Sequence, residues 1–129
     1  MSKVEDHLAI RELAARYNRA FDYGNPKAWV ECFAPDGTFE MGGRVLATGS
    51  ENLLKFAEKN IPKMKVKHCT TDAIVEVNGD TGVHDAYLIL VDTGDKVSVT
   101  NSGRYLDKVV KINGAWKFQQ RIVDIDGKM

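Results

Sequence analysis

The chain has 129 residues, 43% of them hydrophobic and 28% charged, which is enough for one globular domain with a real core, read here as residues 1–129. Eighteen basic residues balance eighteen acidic ones, so no global electrostatic argument favours nucleic acid or an anionic membrane as partner. The same neutrality leaves little charge repulsion against self-association, and a homodimer or higher homo-oligomer is expected.

The opening residues 1–17 carry acids and no long apolar run, so they do not read as a signal peptide. No stretch approaches the roughly 18–20 apolar residues that span a bilayer, and a cytoplasmic location is expected. Residues 4–23 read as a helix. Ile10, Leu13, Tyr17, Ala20 and Phe21 recur at helical spacing on one stripe, while Glu5, Arg11, Glu12, Arg16 and Arg19 largely fall off it. Gly24 follows as a left-handed cap. Asn25-Pro26 opens a second short helix through about Phe33. Pro35-Asp36-Gly37 reads as a turn. Residues 38–41 and 44–47 read as a hairpin closed by Gly42-Gly43. Ser50 is expected to cap a third helix over 51–60, with Leu53, Leu54, Phe56 and Ala57 buried, and Pro62 to stop it.

Beyond Lys65 the pattern changes. Residues 66–77, 82–92, 97–111 and 115–125 are rich in Val, Ile, Thr and Tyr, and Asn78-Gly79-Asp80, Thr93-Gly94-Asp95 and Asn113-Gly114 punctuate them. Four long consecutive strands with tight turns predict an antiparallel meander whose apolar face the three N-terminal helices must cover. The fold class is therefore α+β. Cys32 and Cys69 show no metal-type spacing and read as free, small, buried hydrophobes. The three histidines, His7, His68 and His84, lie on different elements with no ligand spacing, so no metal site and no cofactor is expected. Gly42-Gly43 lacks the lysine and helix of a phosphate loop.

The order helix, helix, hairpin, helix and four strands resembles the SnoaL-like branch of the nuclear transport factor 2-like superfamily. The local matches are Ala9-Ile10-Arg11-Glu12-Leu13 through Tyr17 to Gly24, Trp29 through Cys32-Phe33-Ala34-Pro35-Asp36-Gly37-Thr38-Phe39, His68 with Thr71-Asp72, Gly103-Arg104-Tyr105-Leu106-Asp107, and Asn113-Gly114-Ala115-Trp116-Lys117-Phe118 to Arg121. The resemblance runs from about residue 5 to 125. It implies a cone-shaped roll in which a curved, mostly antiparallel sheet carries the helices on its concave face around an apolar pocket. It also implies the acid–histidine pair of the eliminating members, among them scytalone dehydratase, bile-acid dehydratase and the dehydrochlorinase. The matching positions are Asp22 and His68, with Tyr17 and Arg121 as supporting or substrate-binding groups.

The chemistry of such a pair is plain. A neutral imidazole, with a reference pKa of about 6.5, is available as a base at neutral pH. A carboxylate on its other nitrogen fixes the tautomer and stabilises the imidazolium. Each residue also has a bland reading. Tyr17 sits on the apolar stripe of a core helix. Asp22 lies about 140° from Tyr17 at about 100° per residue, so the stripe itself does not turn it inward. His68 reads equally as a satisfied strand histidine, and Arg121 as a cross-strand charge beside Asp107 or Asp124. His84, alternating with Ala86 and Leu88, is a second pocket candidate. Trp29, Phe33, Phe39, Leu54, His84 and Tyr87 are candidate lining for a pocket that takes an apolar small molecule. Two functional classes follow: a cofactor-independent lyase or isomerase/cyclase using the His68–Asp22 pair, or a noncatalytic ligand-binding module resembling dioxygenase β subunits.

Overall fold

The computed structural model describes residues 3–128. Helix α1 (Lys3–Asp22) buries Ile10, Leu13, Ala14, Tyr17, Asn18, Ala20 and Phe21, the three- and four-residue spacing of one helical face. It ends at Gly24, whose φ of 73° is the left-handed conformation that glycine adopts without a Cβ clash. The Asn25 side chain then accepts from Ala28 N at 3.1 Å and caps α2 (Pro26–Glu31).

Strand β1 (Phe33–Met41) starts earlier than expected: Pro35-Asp36-Gly37 lies inside it, where its pairing is irregular. Gly37 is required there, since a Cβ would sit 2.9 Å from the Phe118 carbonyl oxygen. Strand β2 (Arg44–Thr48) closes the hairpin through Gly42 and Gly43, both at positive φ. Helix α3 (Ser50–Asn60) is not capped by Ser50. Gly49 holds the cap position at φ 82°, and the Ser50 hydroxyl donates to the Pro35 carbonyl at 3.4 Å. Leu53 and Ala57 are buried, whereas Leu54 and Phe56 are half-buried. A single 3-10 turn at Ile61–Lys63 carries Pro62.

Strands β3 (Val66–Asn78), β4 (Thr81–Asp92), β5 (Ser98–Ile112) and β6 (Ala115–Ile125) form the expected meander. The six-stranded order is β2-β1-β6-β5-β4-β3, antiparallel throughout except for the parallel pair β1–β6. The curved sheet is not closed into a barrel. In β3 a bulge between Thr71 and Ile74, with Asp72 at φ 53°, switches the inward parity. His68 and Thr70 face inward before it, and Ala73, Val75 and Val77 after it.

The concave side is filled by packed aromatics. Tyr17, Trp29, Phe33, Phe39, Phe56 and Phe118 contact one another with ring centroids 4.8–6.4 Å apart. Trp29, Phe33 and Phe39, expected to line a pocket, are therefore core. Tyr87 is 56% exposed, because β4 alternates and only its even residues face the helices. Cys32 is buried, with its thiol pushed up to about 11 by burial, but Cys69 is exposed on the outer face of β3. His7 is half-buried on α1. Among the described residues, no helix is long and apolar enough to cross a membrane.

Candidate active site

Helix α1 has two working flanks. The Ile10–Tyr17–Phe21 stripe enters the core. One ridge over, Arg11, Ala14, Ala15, Asn18, Arg19 and Asp22 face β3 across a groove of about 600 Å³. Asn18 and Asp22 follow Ala14 at steps of four residues, the row along which a helix ridge runs. This explains the position of Asp22: it lies off the core stripe and on the flank that meets β3. On the strand side the wall is built from Lys67, His68, Thr70 and Ala73, with His84 behind them on β4. The Arg11 guanidinium ties the far end by donating to the Ala73 carbonyl at 3.0 Å, just after the bulge.

At one end of the groove Asp22 and His68 meet. Nδ1 of His68 is 2.6 Å from Asp22 Oδ1. The His68 backbone N–H also donates to Asp22, at 3.0 Å to Oδ2 and 3.2 Å to Oδ1. The carboxylate is thus held by ring and backbone of the same residue, which fixes Nδ1 as the donor and leaves Nε2 as the basic nitrogen. Phe21 packs on the imidazole with centroids 4.7 Å apart. Both side chains are mostly shielded, at 8% and 7% exposure.

A second histidine–carboxylate pair lies deeper. His84, Asp107 and Arg121 are direct cross-strand partners on β4, β5 and β6. His84 Nδ1 is 2.8 Å from Asp107 Oδ2, and Arg121 Nε is 3.1 Å from Asp107 Oδ1. All three are at most 1% exposed. The guanidinium carbon lies 3.4 Å from the Tyr105 ring centroid, 4.1 Å from Tyr17 and 4.3 Å from Phe118, so three ring faces stabilise the buried cation. Arg121 pairs across the strands with Asp107, one of the two cross-strand partners its bland reading named, and it does not line the groove. Tyr17 likewise belongs to the core. Burial pushes its phenol up to about 12, so it keeps its proton. Leu54 is on α3, away from this groove.

Asn18 and Thr70, which line the groove, escape a search for titratable groups. Asn18 donates from Nδ2 to the Thr70 hydroxyl at 2.7 Å and is 6% exposed. Its sequence signal is a polar side chain beside the apolar stripe, one residue past Tyr17. Asp107 appeared only as a bland partner for Arg121, and nothing in the sequence placed His84 opposite it. Among the described residues, no group of three or more His, Cys, Asp and Glu is placed to hold a metal ion.

The family model of the SnoaL-like domain matches residues 2–122. The chain belongs to that family. No curated protein matches it. It is similar to a protein of unknown function from Mycobacterium tuberculosis, at 28% identity and a TM-score of 0.90, covering 98% of this chain and 80% of that one. It is also similar to a protein of unknown function with a cystatin-like fold from Nostoc punctiforme, at 27% identity and a TM-score of 0.89, covering 100% and 96%. A protein from Novosphingobium aromaticivorans, provisionally described as a scytalone dehydratase, shares the fold at 21% identity and a TM-score of 0.82, covering 96% and 86%. The SnoaL-like resemblance read from the sequence is correct, and it extends over nearly the whole chain.

Proposed function

We propose that this SnoaL-like protein is a cofactor-independent lyase of the dehydratase type, with His68 as the base and Asp22 as its orienting partner. One observation carries the reading: the 2.6 Å contact between His68 Nδ1 and Asp22 Oδ1 at the wall of an accessible groove. His68 Nε2 takes a proton from the carbon beside a carbonyl. The C–H electron pair becomes the new C=C bond, and the β C–O bond breaks with its own pair. The imidazolium returns the proton to the departing hydroxide, so water leaves and His68 is neutral again. No electrons are gained or lost overall. Asp22, held also by the His68 backbone N–H, stabilises the imidazolium without having to move.

The groove volume of about 600 Å³ suits a small molecule. The alanines Ala14, Ala15 and Ala73 offer it an apolar surface, and Arg11, Arg19 and Lys67 at the rim suit a carbonyl or carboxylate oxygen. The same base supports an isomerase reading, in which the proton returns to a different carbon and no group leaves. Self-association in a homodimer belongs to the same proposal. Ile74, Tyr87 and Leu106 are exposed on the sheet face opposite the helices, and analytical ultracentrifugation of wild type against Tyr87→Glu tests it.

The reaction is tested with the aldol of benzaldehyde and acetone, whose dehydration gives a conjugated, ultraviolet-absorbing enone. Wild type turns it over, and a folded His68→Ala variant loses about 10²-fold or more in kcat/KM. Equal turnover by the two proteins removes His68 as the base. An inert wild type that still binds the aldol moves the noncatalytic binding reading ahead.

A further inference from the structure

The groove has two unlike ends, and elimination uses only one of them. At the His68 end the inward polar atoms accept: the Asp22 carboxylate and, next to it along α1, the buried Asn18 Oδ1, which has no donor among the described residues. Arg19 and Lys67 flank this end and are exposed. Lys67 lies on the outer face of β3 with Cys69, and Arg19 lies where the groove meets a second one between α1, α2 and β6. At the other end stands Arg11, whose Nη2 donates to the Ala73 carbonyl at 3.0 Å. That bond uses one of the five N–H donors of a planar guanidinium and fixes the rest of it across the groove. No carboxylate of the described residues pairs with Arg11. Glu12, its neighbour, pairs with Arg16 at 3.0 Å, and Asp72 lines the groove from the bulge without meeting the guanidinium. Between the two ends α1 contributes Ala14 and Ala15.

The lining therefore runs from a tethered cation, over an apolar stretch, to acceptors and the base. Strand β3 sets the length. His68 stands opposite Leu90 and Ile74 opposite Asp85, so the bulge leaves Ala73 about four strand residues from His68, or about 13 Å at about 3.3 Å each. A contact of about 3 Å at either end leaves about 7 Å for the ligand between them. We infer that Arg11 anchors a carboxylate of the substrate, about 7 Å from the carbon that His68 deprotonates. The inference rests on the elimination reading for which end reacts. It narrows the substrate class to acids with an apolar skeleton, a carbonyl and β-hydroxyl at one end and a carboxylate at the other. The carboxylate accepts from the guanidinium N–H groups that Ala73 does not use. The acceptors at the His68 end repel the anion and so fix the direction in which the substrate lies. The chain as a whole is neutral, so its preference for an anion comes from this local cation and not from a long-range field.

The test uses benzylacetone, a ketone with no leaving group, and its derivatives carrying a carboxylate or a neutral carboxamide at the para position of the ring. The carboxamide matches the carboxylate in size and lacks its charge. Binding is measured calorimetrically to wild type, His68→Ala, Arg11→Gln and Arg19→Gln, each first shown to unfold cooperatively. Arg11 is exposed and glutamine can still donate to the Ala73 carbonyl, so Arg11→Gln removes the charge and keeps the tether. The expected result is that wild type and His68→Ala bind the carboxylate about fivefold or more tighter than the carboxamide. In Arg11→Gln that ratio falls to about one. Equal binding of the two derivatives to wild type, no binding of either, or a ratio unchanged in Arg11→Gln overturns the inference. A ratio lost in Arg19→Gln and kept in Arg11→Gln puts the anion at the His68 end and overturns it as well. The two readings fail separately. Proton exchange or turnover by wild type without a carboxylate preference ends the anchor and keeps the base, whereas an Arg11-dependent preference without exchange or turnover ends the base and keeps the anchor.

Discussion

The His68–Asp22 and His84–Asp107 pairs consist of the same two side chains bonded through the same ring nitrogen, yet they are built for different work. The first joins a helix end to an edge strand. Its carboxylate takes hydrogen bonds from one residue's ring and backbone, and the pair lies against an accessible groove. The second lies within the sheet, where register alone sets His84 against Asp107 and Asp107 against Arg121. There a third residue compensates the charge, and burial is complete. A histidine–carboxylate contact is therefore not in itself a functional signature. The counter-charge and the access to solvent separate a pair that can cycle a proton from one that fixes a ring.

The comparison breaks most easily at Arg121. Arg121→Met strands the buried Asp107 carboxylate, and the unfolding free energy in urea is expected to fall by about 3–5 kcal/mol. The double variant Arg121→Met/Asp107→Leu recovers much of that loss. A deficit under about 1 kcal/mol in the single variant contradicts the charge-compensation account. Asp22→Asn is expected to move the opposite observable. Its kcat/KM on the benzaldehyde–acetone aldol drops at least about tenfold, while stability falls by only about 1 kcal/mol, because the amide still accepts one of the hydrogen bonds. Larger damage to stability than to turnover places Asp22 among structural residues.

A third outcome concerns the phenols stacked on Arg121. Burial raises Tyr17 to about 12 and Tyr105 well above the ordinary tyrosine value of 10.0. Both folded values exceed the unfolded one, so this contribution is complete below about pH 10 and is lost as pH rises through about 12. Denaturant melts across that window should steepen in their pH dependence for wild type and flatten for Tyr17→Phe. A wild-type curve flat to pH 12 disagrees with two buried phenols. The smallest effect is expected on the outer face. Arg104 binds Asp85 through Nε at 2.8 Å, but its side chain is 50% exposed, so Arg104→Ala should cost less than about 1 kcal/mol in the same urea titration.

Most element boundaries were legible, because helical spacing on α1 and runs of β-formers after Lys65 are local signals. The misses share a physical cause. Ser50 matched the capping preference, but Gly49 at positive φ already turned the chain and freed the hydroxyl for Pro35. Pro35-Asp36-Gly37 has turn chemistry, yet it sits in an irregular strand because Gly37 must pass close to Phe118. The bulge at Asp72 leaves a trace, the shift of inward residues from even to odd, that is visible only once the strand is paired. The site divides in the same way. Asp22 and His68 were found through the resemblance, since periodicity measured from Tyr17 points Asp22 away from the core and says nothing of the flank facing β3. The His84–Asp107–Arg121 row needs register, which no single-strand pattern contains. Trp29, Phe33 and Phe39, expected around a pocket, fill the concavity instead, because large rings gain more by packing on each other than by lining water-filled space.

The base assignment is tested most directly by proton exchange without elimination. Benzylacetone has a carbonyl and acidic neighbouring hydrogens but no leaving group. Incubated in deuterated buffer, it should take up deuterium beside the carbonyl in the presence of wild type and of His84→Leu, more slowly with Asp22→Asn, and only at the uncatalysed rate with His68→Ala. Exchange by His68→Ala as fast as by wild type would contradict the central claim that His68 removes the proton from carbon.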